Sequence, residues 1–330
     1  MVRKRELSRG CVLCHRGGKM VLFVTGLCPR TCWYCPLSKE RKGRDVIYAN
    51  ERLIVTPEDA EEVARLMSAL GTGITGGEPL HVPDRVADFC RHLKRVFGEG
   101  HHIHLYTGLA PGEETLRDLR GLVDEIRMHP PHEMWSRIEE SPYRDSAILA
   151  GEMGFSVGIE VPSLPGIGDL SPILTSLDFL NINELEWGET NAAAMRQRNM
   201  VLEDGVHNAV RGGRAWAADL VNHPKVHWCS SRFKDSVQLR KRLLRVARNT
   251  ARPFDQVTRD GTILYGVLKS GEPLPPIFHQ LDPGMYEIRE GDVETAWWVI
   301  TEFSDRLPGE KMIIERYPDR GLVVEVTPVA

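Results

Sequence analysis

The residues of this chain best placed to do chemistry are three cysteines at C-x3-C-x2-C spacing, Cys28, Cys32 and Cys35. Three thiolates on one short loop suit a cubane iron-sulfur cluster. A [4Fe-4S] cluster ordinarily takes four cysteine ligands, so three leave one iron open to an outside chelate such as the amino and carboxylate groups of a methionine. A structural zinc knot is the bland alternative, but it pairs C-x2-C units with a fourth Cys or His and rarely uses this spacing. A ferredoxin run would carry a fourth cysteine in the local series, and none lies between Cys35 and Cys90.

Two further cysteines, Cys11 and Cys14, precede this loop, so five of the seven crowd into 25 residues. In a chain this long such crowding points to metal rather than to disulfides. A C-x2-C pair is a half-site for zinc or iron-sulfur that needs distant ligands, and Cys229 is the candidate, with His15, His223 or His227 as a fourth partner. The expectation is a second metal centre at Cys11, Cys14 and Cys229, a second [4Fe-4S] cluster ranking ahead of zinc; an inert pair is the alternative. Cys90 shares a helical face with Val86, Phe89, Leu93 and Phe97 and reads as a core thiol.

The elements that must position these residues follow from periodicity. Short apolar runs alternate with longer helical patterns from residue 20 to about 183, which predicts βα units around a parallel sheet. Candidate strands are 20–24, 72–75, 102–106, 123–127, 155–160 and 177–182, six in all. A helix from Thr56 to Leu70 has Thr56 as cap, Pro57 in its first turn and Asp59 closing a capping box, with Gly71 as its stop. A second helix runs over 83–97. After about residue 250 the pattern turns strand-rich around one helix carrying Trp297 and Trp298, which predicts a small α+β domain. The proline-rich stretch 271–283 reads as a linker or a loop over the larger domain.

The cysteine loop directly follows the first predicted strand, with the aromatic Tyr34 just before its third cysteine, and the second strand ends in Gly76-Gly77-Glu78-Pro79. The two motifs resemble those of the radical S-adenosylmethionine superfamily, and the chain looks closest to iron-sulfur oxidoreductases related to pyruvate formate-lyase activating enzyme. The resemblance covers roughly residues 20–210 and implies a partial (β/α)6 barrel. It implies bound S-adenosylmethionine, a low-potential electron donor, and a 5′-deoxyadenosyl radical that abstracts hydrogen from an unidentified substrate. It also implies that Tyr34, Gly76, Gly77, Glu78 and Pro79 line the cofactor, with Glu78 and the backbone meeting the amino group of its methionine. A glycine pair would let the backbone approach a ligand closely.

Function concentrates at the carboxyl ends of such strands. Thr107 ends the third strand, His129 follows the fourth, Glu160 ends the fifth and Asn181 lies in the sixth. By the resemblance, Glu160 and Asn181 contact the cofactor's ribose and methionine, and strand capping is the alternative. His129 is a substrate-pocket candidate.

The domain reading is an N-terminal extension with the cysteine pair at 1–19, the barrel with a basic helix at 20–250, and the small domain at 251–330. With 42% hydrophobic and 27% charged residues the 330-residue chain can bury a large core, and its net charge of −4 argues against coating nucleic acid or anionic membrane by bulk charge. No stretch approaches the roughly 20 apolar residues of a membrane helix, and the first residues lack an apolar signal core, so a cytoplasmic protein is expected. The basic helix holding Arg232, Lys234, Arg240, Lys241, Arg242, Arg245 and Arg248 could serve an RNA backbone or an acidic substrate, with a solvated face as the plain alternative. Its apolar positions Val237, Leu243, Leu244 and Ala247 are expected to dock on the barrel. The substrate is thus a small molecule, a protein side chain or an RNA base. The competing classes are an iron-sulfur electron carrier and a zinc-dependent RNA-binding module.

Overall fold

A computed structural model describes residues 7–269, 273–319 and 321–330. The chain divides into two compact units, 1–65 with 69–238, and 66–68 with 239–330. In the first unit a short helix α1 (Arg9–His15) leads into β1 (Lys19–Phe23), and a hairpin β2 (Ile47–Ala49) and β3 (Arg52–Ile54) follows. Then come α2 (Pro57–Leu66), β4 (Gly71–Thr75), α3 (Pro83–Phe97), β5 (His102–Thr107), α4 (Glu113–Leu119), β6 (Glu125–Met128) and α5 (Pro142–Glu152). The unit closes with β7 (Ser156–Pro162), β8 (Phe179–Asn183), α6 (Ala192–Gln197) and β9 (Val226–Cys229).

The nine strands make one open sheet in the order β3-β2-β1-β4-β5-β6-β7-β8-β9. β1 and β4 to β9 are parallel, and the β2–β3 hairpin adds antiparallel to the edge of β1. Each new parallel strand is laid on the same side of the last. Right-handed crossovers that always step one way put their helices on one face of a sheet, which leaves the other face for a site. The parallel strands number seven rather than the expected six. The seventh, Val226–Cys229, escapes sequence reading because four residues interrupted by His227 are too short to show a period.

Local signals explain the elements. Asp59 Oδ2 accepts from the backbone of Val55 and Thr56 at 2.9 Å each, and Thr56 Oγ1 accepts from Asp59 N at 3.3 Å, so the capping box forms. The helix stops at Leu66 rather than Leu70, because Ser68 takes a left-handed φ of 48°. Cys90 lies wholly in the core of α3's buried face, as its spacing requires.

Residues 7–18 are not an appendage. Ser8 caps α1 by accepting from Cys11 N, Leu13 is fully buried, and Gly10 sits so close to β5 and β6 that a Cβ there would stand 2.5 Å from Arg127 Nη2 and 2.6 Å from His104 Nδ1. α1 therefore covers the amino-terminal end of the inner face.

The second unit is a six-stranded antiparallel sheet: β10 (Gln256–Val257), β11 (Ile263–Lys269), β12 (Tyr286–Arg289), β13 (Asp292–Thr295), β14 (Glu310–Arg316) and β15 (Val323–Val329). A helix over Trp297–Glu302 buries Val299 and Ile300 against it. The basic helix Arg240–Thr250 contributes Ala247 to this core, and the unit begins at 239 rather than at 251. Of the proline-rich stretch, 271 and 272 lie outside the described residues, and Ile277 and Phe278 are core residues of the second unit rather than linker.

Candidate active site

Cys28, Cys32 and Cys35 line one cavity of about 600 Å³ on the inner face of the first unit. Gly76 to Pro79, Thr107, His129, Glu160, Pro162 and Asn183 form the facing wall at the carboxyl ends of β4 to β8. Cys28 is exposed, and Cys32 and Cys35 are half-buried.

The cysteine loop is tied down along its whole length. Arg30 Nη1 donates to the carbonyls of Gly108 at 2.8 Å and His129 at 2.7 Å, fixing the loop to the ends of β5 and β6. The Tyr34 hydroxyl lies 3.0 Å from His129 Nε2. From the segment after β8, the Asn191 amide donates to Tyr34 O at 3.1 Å and the Thr190 hydroxyl donates to Cys35 O at 3.1 Å and Leu37 O at 2.5 Å.

The Gly76–Pro79 motif runs beside the chain that leads into Cys28. Gly77 N donates to Thr25 O at 2.7 Å and Glu78 N to Leu27 O at 2.9 Å, continuing the β1–β4 pairing past both strands. A Cβ at Gly77 would stand 2.4 Å from Leu27 O and 2.7 Å from Gly26 O, and one at Gly76 would stand 2.6 Å from Thr25 O. The glycine pair is thus required first by backbone packing against the cysteine loop. The buried Glu78 carboxylate accepts from Thr107 Oγ1 at 2.7 Å, Leu80 N at 3.0 Å and Gly108 N at 2.7 Å. Those donors occupy three of roughly four acceptor positions on a carboxylate, leaving one for a ligand.

Glu160 reaches the cavity, where Arg127 Nη1, Asn181 Nδ2 and Asn183 Nδ2 donate to it at 2.5, 2.8 and 2.8 Å. Burial opposes its charge, but Arg127, Lys19 and the amides of Asn183 and Asn181 together outweigh burial and bring its pKa down to about 2. Asn181 is placed differently from the expectation: it is 2% exposed, does not line the cavity, and spends its amide on Glu160 and on Cys11 Sγ. Asn183, two residues on and on the same strand face, lines the cavity instead.

Burial drives the other shifts. It lowers His129 to about 4, with Arg30 adding to the effect, so the ring is neutral near pH 7. It raises Tyr34 above the usual phenol range, with Cys32 contributing, and raises Cys28, with Glu78, Cys32 and Cys35 adding. Three thiols that act on one another, opening on one cavity, are a chemically suitable donor set for a cationic iron cluster, which favours the thiolate forms.

Cys11, Cys14 and Cys229 also come near one another. Burial pushes Cys229 up to about 12, and Glu160, Cys14 and Cys11 add to the rise. Cys11 Sγ accepts from Asn181 Nδ2 at 3.2 Å and Arg127 Nη2 at 3.6 Å. The His15 ring lies 5.3 Å from that of His227, whereas His223 Nδ1 accepts from Lys225 N within its own turn. Among the described residues no three His, Cys, Asp or Glu side chains stand in a metal-ligating arrangement.

Sequence reasoning missed Lys19, Arg30, Arg127 and Asn191. Arg127 alone left a signal, as a charge inside a strand whose four residues are all buried.

The radical SAM superfamily model matches residues 22–137, and a domain of unknown function (DUF8061) matches residues 261–329. A Methanocaldococcus jannaschii protein, provisionally named a glycyl-radical enzyme activating enzyme, is 39% identical over 282 residues, covering 80% of this chain and 74% of that protein. Two solved structures of Streptococcus suis SuiB, one bound to S-adenosylmethionine and one to the precursor peptide SuiA, match at 13% identity and TM-score 0.43. Those matches cover 64% of this chain, and the chain spans about half the length of the SuiB chains. The chain belongs to the radical SAM superfamily. No helix among the described residues is long and apolar enough to cross a membrane.

Proposed function

We propose that this enzyme reductively cleaves S-adenosylmethionine at a [4Fe-4S] cluster held by Cys28, Cys32 and Cys35. The observation that carries the reading is that these thiols and the Gly76–Pro79 wall open on a single cavity. A cluster held there would take an electron from a low-potential donor and supply it to S-adenosylmethionine, whose carbon-sulfur bond would break to give methionine and the 5′-deoxyadenosyl radical that would abstract hydrogen from a substrate.

The chain's own residues bind and orient. The remaining acceptor position of Glu78 suits the ammonium of the cofactor's methionine, and Thr107 holds that carboxylate in place. Pro79, buried at the start of a 3-10 turn, keeps the motif rigid. Glu160, charged throughout the neutral range, suits a ribose hydroxyl, with Asn183 beside it in the role first expected of Asn181. Tyr34 and His129 shield the inner side of the cluster loop, and the neutral imidazole cannot repel bound cations.

The test is anaerobic reconstitution followed by reduction in the presence of S-adenosylmethionine. 5′-Deoxyadenosine should form, and replacing Cys28, Cys32 and Cys35 together with alanine should abolish it; formation at the parent rate by the triple variant overturns the assignment. A plain electron carrier or a zinc-dependent RNA-binding module would give none. The name of the Methanocaldococcus relative supports a protein glycine as one hydrogen donor.

A second metal centre at Cys11, Cys14 and Cys229 is supported by the influence of Cys11 and Cys14 on the buried Cys229 thiol, since sulfurs that share a metal must stand close together. About eight irons per chain would indicate two cubanes, about four with one zinc a structural site, and about four without zinc would remove the proposal.

A further inference from the structure

The cavity extends well below the cysteine loop. Lys19, the first residue of β1, lines it together with Val21, Gly73, Tyr106 and Glu160. β1 rises about 3.3 Å per residue, so Lys19 lies roughly 13 Å below the strand's carboxyl end, where the loop begins. Two groups on this floor hold unused donor capacity. Lys19 Nζ has His104 Nε2 and Tyr106 Oη as its contacts, both neutral and both at 3.4 Å, the long limit of a hydrogen bond. Among the described ion pairs none brings a carboxylate within 4.0 Å of it. Tyr106 Oη accepts from Arg127 Nη1 at 3.1 Å as well as from Lys19, and no acceptor for its own proton is found among the described residues.

No neighbouring acid among the described residues bonds Lys19 directly, although Cys14 and Glu160 favour its charged form from a distance. Arg127 meets the two neighbouring carboxylates, donating to Glu125 Oε1 through Nε at 2.6 Å and to Glu160 Oε2 at 2.5 Å. An ammonium whose hydrogen bonds are long ones to neutral partners keeps capacity for a carboxylate, and charge-assisted bonds to a carboxylate are stronger and shorter than those it has. A phosphate fits less well: it asks for more donors than two, and Glu160 beside the site opposes a second negative charge.

We propose that the cavity floor is a carboxylate-binding subsite, in which Lys19 and Tyr106 take the two oxygens of a substrate carboxylate and leave its carbon chain directed toward the cysteine loop. In the reading above the cofactor's methionine lies against the cysteine loop and Glu78, at the carboxyl end of the strands, so the floor is left for a second molecule, a small organic or amino acid. The role of that molecule as radical substrate rests on the proposed function; its binding does not.

The test is equilibrium dialysis of the reconstituted protein against labelled acetate and butyrate, with acetamide and inorganic phosphate as controls. Both carboxylates should bind saturably, and acetamide and phosphate should bind at least tenfold more weakly. Lys19→Met should weaken carboxylate binding at least tenfold, Lys19→Arg should restore part of it, and Tyr106→Phe should weaken it several-fold. Melting temperature and cluster absorbance check that each variant is folded, and Tyr106→Phe carries the test if Lys19→Met is not. Absence of saturable carboxylate binding, equal binding of acetamide, or full binding by folded Lys19→Met overturns the proposal. 5′-Deoxyadenosine formation in the same preparation reports separately on the proposed function, so carboxylate binding without cofactor cleavage would remove that function and keep the subsite.

Discussion

Gly77 shows how one position can have two explanations that differ in consequence. If its role were only to admit a ligand, a side chain there would weaken cofactor binding and leave the cluster intact. The neighbours of its missing Cβ are instead the backbone oxygens of Leu27 and Gly26, at 2.4 and 2.7 Å, and backbone cannot swing aside as a flexible side chain can. We therefore expect Gly77→Ala to displace the chain entering Cys28, at about 1–3 kcal/mol of stability, and to lower cluster content. Urea unfolding and cluster absorbance check this. Parent stability with a full cluster would show that the loop tolerates the shift.

At the scale of elements, the site depends on how the cysteine loop is clasped from both sides. Arg30 fastens it to β5 and β6, and the turn before α6 fastens it from the far side. Asn191 is fully buried; its amide donates to the carbonyls of Tyr34 and Glu186, and its side-chain oxygen accepts from Gly188 N. Asn191→Ala would leave these backbone groups without partners, at about 2–3 kcal/mol. Faster loss of iron to a chelator than in the parent is the expected outcome. Thr190→Ala, which removes one hydroxyl donor, should cost about 1 kcal/mol. Equal rates of iron loss in parent and Asn191→Ala would show that the clasp is dispensable.

For the whole molecule, acid lability follows from histidines buried in neutral form. Burial lowers His101 to about 4, where its Nε2 sits 2.9 Å from the Thr72 hydroxyl and its ring stacks on Phe97. Burial also takes the fully buried His104 well below the ordinary histidine range. Because the unfolded chain binds protons near pH 6.5 and the folded chain does not, this stability is complete above about pH 6.5 and is lost as pH falls toward 4. His101 alone should account for about 2 kcal/mol of loss by pH 5. Urea unfolding at pH 7 and pH 5 measures it, and His101→Gln should show a smaller difference between the two. A parent stability unchanged from pH 7 to 5 would show that these rings are hydrated or paired.

The spacing of Cys28, Cys32 and Cys35, the Gly76–Pro79 run and the alternation of apolar strands with helical patterns were readable from sequence because each is local: a loop that gathers thiols, a strand end, a period. Local order also made Cys90 a core residue and Thr56 a cap. The tertiary structure alone decided which distant residues meet. β9 became a strand because β8 offered it an edge, although four residues are too few for a period to show. Ala247 of the basic helix packs in the core of the second unit, since amphipathic spacing says that a face is buried but not against what. Asn181 turned behind Glu160 while Asn183 faced the cavity, a matter of depth along one strand face that alternation cannot resolve. Lys19, Arg127 and Tyr106 lie on three different strands, up to 108 residues apart, and only the parallel register of the sheet brings their charges and donors to one floor.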